Sequence, residues 1–156
     1  MRRRSWLAIG LFVLLHPALV AAQPDGLVTK PSAFSVRMTL DRFATAVRAA
    51  GWVVFSEIDH AEAARQVGLT LAPRVVLMFG NPRGGPAAMA AHPTLAVDLP
   101  MRVLVWADDA GKVFVTRSTG ADIALRVYAR HEMEIDDAGQ QGIDRMIGGL
   151  VRQATE

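Results

Sequence analysis

Runs of apolar residues in this chain follow three patterns, and each predicts a different element. From Trp6 to Leu15 the residues are apolar throughout apart from Gly10, and His16-Pro17 ends the run. Phe34-Ser35-Val36-Arg37-Met38 alternates at period two, which predicts a strand with one wet face. Thr39 then stands where a helix would be capped, with Leu40, Phe43, Ala44 and Val47 on one stripe and Gly51 to close it. Trp52 to Ile58 predicts the next strand, followed by Asp59 as cap of a short helix from His60 to Val67 that Gly68 stops. Val75 to Phe79 is continuously apolar, as expected of a strand covered on both faces at the centre of a sheet.

Beyond it, Gly80 to Pro86 predicts a loop, and Ala87 to Ala91 a short alanine-rich helix. Val103 to Trp106 and Val113 to Thr116 are joined by Asp108-Asp109-Ala110-Gly111, a turn sequence that predicts an antiparallel hairpin. Ile123 with Val127 suggests one helix, and Ile143, Met146, Ile147, Leu150 and Val151 form the apolar stripe of another. Early alternation of strand and helix favours parallel pairing, whereas the hairpin demands an antiparallel pair. The expected fold is therefore α+β: a mixed sheet of about five strands with a late antiparallel hairpin and helices mainly on one face.

Charge changes the reading of the first run. Arg2, Arg3 and Arg4 precede it, and Ala18-Leu19-Val20-Ala21-Ala22 follows, which is the order of a secretory signal peptide cleaved between Ala22 and Gln23. About ten apolar residues fall well short of the roughly 20 of a membrane-spanning helix. Arg3-Arg4-Ser5-Trp6-Leu7 also resembles a twin-arginine signal. The reading is an exported protein, periplasmic or extracellular, with residues 1–22 as leader, 23–33 as a flexible arm containing Pro24, Gly26 and Pro31, and 34–156 as one domain. Three of the 17 Lys and Arg belong to the leader, so 14 remain against 15 Asp and Glu, a net charge of −1 with His neutral. The basic isoelectric point of about 9.7 is thus largely a property of the leader, and nucleic acid or an anionic membrane is not an expected partner. The chain has no cysteine, which excludes disulfides and thiolate metal sites.

Ile58-Asp59-His60, Gly80-Asn81-Pro82, and Asp98-Leu99-Pro100 running into Val103-Leu104-Val105-Trp106 together resemble successive signatures of the domain of unknown function 302 family. The resemblance continues through Asp109-Ala110-Gly111-Lys112-Val113 to Ala129-Arg130-His131, where the family tends to have an Arg-His pair. It implies a compact α+β domain, often a homodimer, and supplies no activity. An uncovered apolar sheet surface points to the same homodimer.

Candidate chemistry rests on a few positions. His60 would sit in the first turn of a helix, where unpaired N–H groups and the helix dipole favour neutral imidazole, able to accept a proton or bind a metal; alternatively it packs at the corner, with Asp59 only a cap. Asn81 and Arg83 lie in a glycine-containing loop between a strand and a helix, a layout that can point N–H groups at a small anion or simply make a turn. Asp98 is a lone carboxylate or a turn residue, and the resemblance adds His131. His92 precedes a proline and reads as a surface residue. Methionines could form a soft copper site with the histidines, but they fall on predicted core positions, so no metal and no cofactor is expected. No nucleophile motif or His-Glu-x-x-His is present. The favoured function is a small-ligand, anion-binding or interaction module of the cell envelope. The alternatives are a small hydrolase or isomerase using His60 with Asp98, or a metal-binding protein; convergence of His60, Asn81 and Asp98 on one pocket would favour the enzyme.

Overall fold

The computed structural model describes residues 26–156, so the expected leader lies outside the described residues. Five strands form one sheet: β1 (Leu27–Pro31), β2 (Val53–Asp59), β3 (Arg74–Gly80), β4 (Met101–Ala107) and β5 (Val113–Ser118). Their order across the sheet is β1-β5-β4-β3-β2, and each neighbouring pair is antiparallel. The helices are α1 (Val36–Ala49), α2 (His60–Gln66), α3 (Gly84–Ala91), α4 (Gly120–Ile123) and α5 (Asp137–Thr155). The fold is α+β.

The expected mixture of parallel and antiparallel pairs is replaced by antiparallel pairing throughout. β1 and β2 do run the same way, but they occupy opposite edges, and α1 crosses the sheet between them. Four interstrand gaps span about 19 Å, and a helix of 14 residues is about 21 Å long. The helix thus has the reach to make the crossing. The sheet's centre is β4, not the apolar run of β3, whose alternate residues Val76 and Met78 are only half-buried.

Two expectations near residue 30 also fail. The arm contributes β1, which pairs with β5 from Leu27↔Ser118 to Pro31↔Phe114. Pro31 is tolerated because β1 is an edge strand, where a missing N–H on the outer side removes no ladder bond. The predicted strand from Phe34 to Met38 is instead the start of α1. Ser35 caps it, its hydroxyl accepting from the Met38 N–H at 3.3 Å. Val36 lies four residues before Leu40, so it extends the stripe of Leu40, Phe43 and Val47 at helical spacing, while Met38 falls off the stripe and is exposed.

One face of the sheet carries Val75, Leu77, Phe79, Val103, Val105, Val113 and Val115, and α1 and α5 pack side by side to complete that core. Phe43 meets Phe79 edge to face at 5.2 Å between ring centroids. Trp52 also packs on Phe79, 6.2 Å between ring centroids, connecting the core to the sheet's end. The hairpin forms as expected: the Asp108 carboxylate accepts from the Ala110 and Lys112 N–H groups, and Gly111 takes φ +79°, where a side chain would be strained. A chain segment leads from α4 through a wide turn at Ala124–Tyr128 and a tight turn at Ala129–His131 into α5.

Candidate functional site

The site is built at one end of the sheet, where β2 begins, β3 ends and β4 begins. After β3 the chain turns at Asn81. Its side-chain oxygen accepts from the Arg83 N–H at 2.9 Å and the Gly84 N–H at 3.3 Å, and its main-chain oxygen from the Gly85 N–H at 3.1 Å. Asn81 therefore serves as an internal cap for α3 and takes up the N–H groups that an anion would need. Arg83 is exposed and makes no side-chain cap of that helix.

Downstream of α3, a short helical turn, Pro93–Val97, delivers Thr94 and Asp98 one helical turn apart. Facing them is His131, buried at the end of the tight turn Ala129–His131. Glu132 then adopts φ +61°, a left-handed conformation that costs about 1 kcal/mol for a residue with a side chain and reverses the chain right after His131. His131 Nε2 lies 2.6 Å from Asp98 Oδ2, and His131 Nδ1 lies 2.8 Å from Thr94 Oγ1. Arg130 donates to the other Asp98 oxygen at 3.3 Å. The hydrogen bond from His131, with the positive charge of Arg130, holds the Asp98 carboxyl below its usual range against the opposing effect of burial.

Between these parts opens a cleft of about 760 Å³. Its walls come from the start of β2, the loop and helix after β3, the start of β4, the segment before α5 and the first half of α5 itself. Trp52, Phe55, Met89, Tyr128, Ile143 and Met146 make the surface predominantly apolar. Burial pushes the Tyr128 hydroxyl above its ordinary value, so it stays neutral. Leu99 and Pro100, immediately after Asp98, and Met133, two residues after His131, also line the cleft. The Asp98–His131 pair thus ties together two of its walls.

The profile of one protein family, described as Domain of unknown function DUF302, matches residues 28–150. This chain belongs to the DUF302 family. A crystal structure of an uncharacterized conserved DUF302 protein from Bacillus stearothermophilus superposes with a TM-score of 0.69 over 84% of this chain and 99% of that one, at 14% identity. That likeness shows the fold. Two curated relatives are named fluoride-specific ion channel FluC 1, one from Brucella suis and one from Brucella abortus, each 38% identical over 111 residues. The match covers 71% of this chain but 44% and 41% of those relatives, so the DUF302 chain spans less than half of their length.

Of the residues singled out from the DUF302 sequence, the structure brings Asp98 and His131 together and sets Asn81 at the adjoining cleft. His60 is elsewhere. Because β2 and β3 are antiparallel, Asp59 pairs with Val75 while Val53 pairs with Gly80, which puts His60 and Asn81 at opposite ends of the strands. Six residue steps separate them by about 20 Å. His60 is exposed, and the Asp59 carboxylate caps α2 by accepting from the Ala61 and Glu62 N–H groups at 2.9 and 3.0 Å. The corner and the glycine loop do not form one cleft, and Asp98 has His131 as its partner in place of His60. Among the described residues no group of three or more His, Asp or Glu is placed to hold a metal ion. Thr94 was not singled out, although its spacing of four from Asp98 on a helical turn was a readable signal.

Proposed function

We propose that this DUF302 domain is a binding module whose cleft holds a small, mostly apolar molecule. The observation that carries the reading is the cleft itself: about 760 Å³ of concave space, within the range of small-molecule sites, with a mostly apolar lining that includes the polar groups of Asn81 and Tyr128. An anion at the Gly80–Pro86 loop is the weaker reading, because Asn81 already satisfies the amides of residues 83 to 85. The ion conduction named for the curated relatives belongs to proteins of which this chain spans less than half, and among the described residues no helix is long and apolar enough to cross a membrane. The arginine cluster and apolar run at the N-terminus have the order of a secretory leader, which supports reading the module as exported.

Trp52 makes the test direct, since it lines the cleft while Trp106 lies on the sheet away from it. In a Trp106→Phe background and without the leader, laurate and the apolar dye anilinonaphthalene sulfonate should change Trp52 emission saturably and with one-to-one stoichiometry. Ligand at 100 times its Kd should add about 2.7 kcal/mol of stability, a rise of several degrees in Tm. Gly85→Leu fills the cleft: a Cβ there would meet Met89 Cε at an ordinary 3.6 Å, so the backbone has room for it. That variant should fold and lose both responses. Equal responses in both proteins would place the ligand elsewhere.

A further inference from the structure

The row Thr94, His131, Asp98 is more than a tie between two walls. An ionised carboxylate can only accept, so Asp98 requires a proton of His131 on Nε2, and in the neutral imidazole this leaves Nδ1 as a lone-pair acceptor. The hydrogen bond between Nδ1 and Thr94 Oγ1 must then run from the hydroxyl to the ring. The hydroxyl of Thr94 is aimed at a base, the base is oriented by an acid, and the acid is steadied by Arg130. A hydroxyl hydrogen-bonded to a base that a third group orients is the arrangement that activates a weak oxygen nucleophile, here with Nδ1 facing the hydroxyl and Nε2 the carboxylate. The His131 side chain is 6% exposed and that of Asp98 15%, while Thr94 is open to solvent.

From this geometry we propose that DUF302 Thr94 is the nucleophile of an esterase, with His131 as its general base and Asp98 as the residue that orients and stabilises the imidazole. The substrate class is a carboxylic ester with an apolar acyl chain, since Leu99, Pro100 and Met133, close in sequence to Asp98 and His131, line the apolar cleft. The preference for long chains rests on the cleft reading; the activation of Thr94 does not. Thr94 Oγ1 attacks the ester carbonyl carbon while its proton passes to His131 Nδ1. The carbon–oxygen bond to the alcohol then breaks, and His131 returns that proton to the departing oxygen. In the second half His131 takes a proton from water, whose oxygen attacks the acyl-threonine carbonyl, and Thr94 leaves with the proton restored. The balance is ester plus water to acid plus alcohol.

The test is hydrolysis of p-nitrophenyl acetate and p-nitrophenyl decanoate by the leaderless protein, followed by mass spectrometry of the peptide from Gly84 to Arg102 that trypsin releases. Wild type is expected to release p-nitrophenol catalytically and to carry acyl mass on Thr94. Thr94→Val, which swaps hydroxyl for methyl at an exposed position, should abolish both, and Thr94→Ser should retain them. His131→Gln and Asp98→Asn should each lower turnover about 100-fold or more, the range of a lost general base or its support. Hydrolysis that survives Thr94→Val, or wild type that cleaves neither ester, overturns the proposal. The two readings separate in the acyl chain. Thr94-dependent cleavage of acetate with no preference for decanoate, in a protein that also fails to bind laurate, leaves the triad standing and removes the cleft reading. Laurate binding without hydrolysis does the reverse.

Discussion

Asp98 shows how one carboxylate is set by its neighbours. Its hydrogen bond to His131 and the charge of Arg130 favour the ionised form, so its folded pKa lies below the ordinary value of 3.8. A group depressed on folding contributes stability that is present above the unfolded value and is lost as pH falls through the folded one. Wild type should therefore be more stable than Asp98→Asn at pH 6 to 7, and the gap should close as pH drops below about 4. Urea unfolding at several pH values reads this. A gap of constant size would mean that the carboxylate's charge has no part in it. The site was legible in the sequence one residue at a time and not as a set. Asp98 and His131 stood out, but 33 residues separate them, and only the turn that ends in a left-handed Glu132 brings the imidazole inward. His60 stood out equally and is a surface residue at the far end of β2. Its role could not be told from Asp98's without knowing that β2 and β3 run in opposite directions.

At the scale of elements, periodicity found most of what is present. The hairpin of β4 and β5, the stripes of α1 and α5, and the capped start of α2 all follow from it. It failed where two periods coincide: Phe34 to Met38 alternates and yet continues a helical stripe, and the cap at Ser35 decides for the helix. It was also silent on the approach of α4 to α5. A Cβ on Gly120 would stand 2.0 Å from the main-chain oxygen of Gln140, a contact that no side-chain rotation relieves. Gly120→Ala should cost about 2–3 kcal/mol, the cost of overpacking a rigid contact. It should also weaken ligand binding, because α4 leads into the segment bearing Tyr128 and His131. Gly142→Ala is the matched control within α5. Its Cβ would meet only Arg145 Nη2 at 3.9 Å, and a helix-interior glycine replaced by alanine gains about 0.5–1 kcal/mol. Thermal unfolding of the pair should give shifts of opposite sign, and a neutral Gly120→Ala would mean that the two helices separate without cost.

For the whole molecule, the question is where the folding unit begins. The segment before Phe34 reads as an arm by its prolines and glycine, yet it is tied in at every level. β1 covers the edge of β5, the Ser32 N–H donates to Val113 O at 2.8 Å, and the Ala33 N–H donates to Thr155 O at 3.1 Å at the end of α5. Ser32 Oγ also meets Thr39 Oγ1 at 2.7 Å, and Lys30 pairs with Glu156. The family match likewise begins inside β1, at residue 28. Cleavage after Ala22 would leave all of this intact. A chain beginning at Phe34 would lose the β1 ladder and both main-chain bonds to the C-terminal half, at about 1 kcal/mol net for each hydrogen bond, and would expose a new edge at β5. A domain with no disulfide and a total stability of about 5–15 kcal/mol has little reserve against that loss. The variant starting at Gln23 should unfold in one cooperative transition, and the variant starting at Phe34 should melt at least about 10 °C lower or lose the transition altogether. Circular dichroism of the two chains on heating decides it. Equal melting would return residues 23–33 to the status of an arm and remove β1 from the folding unit.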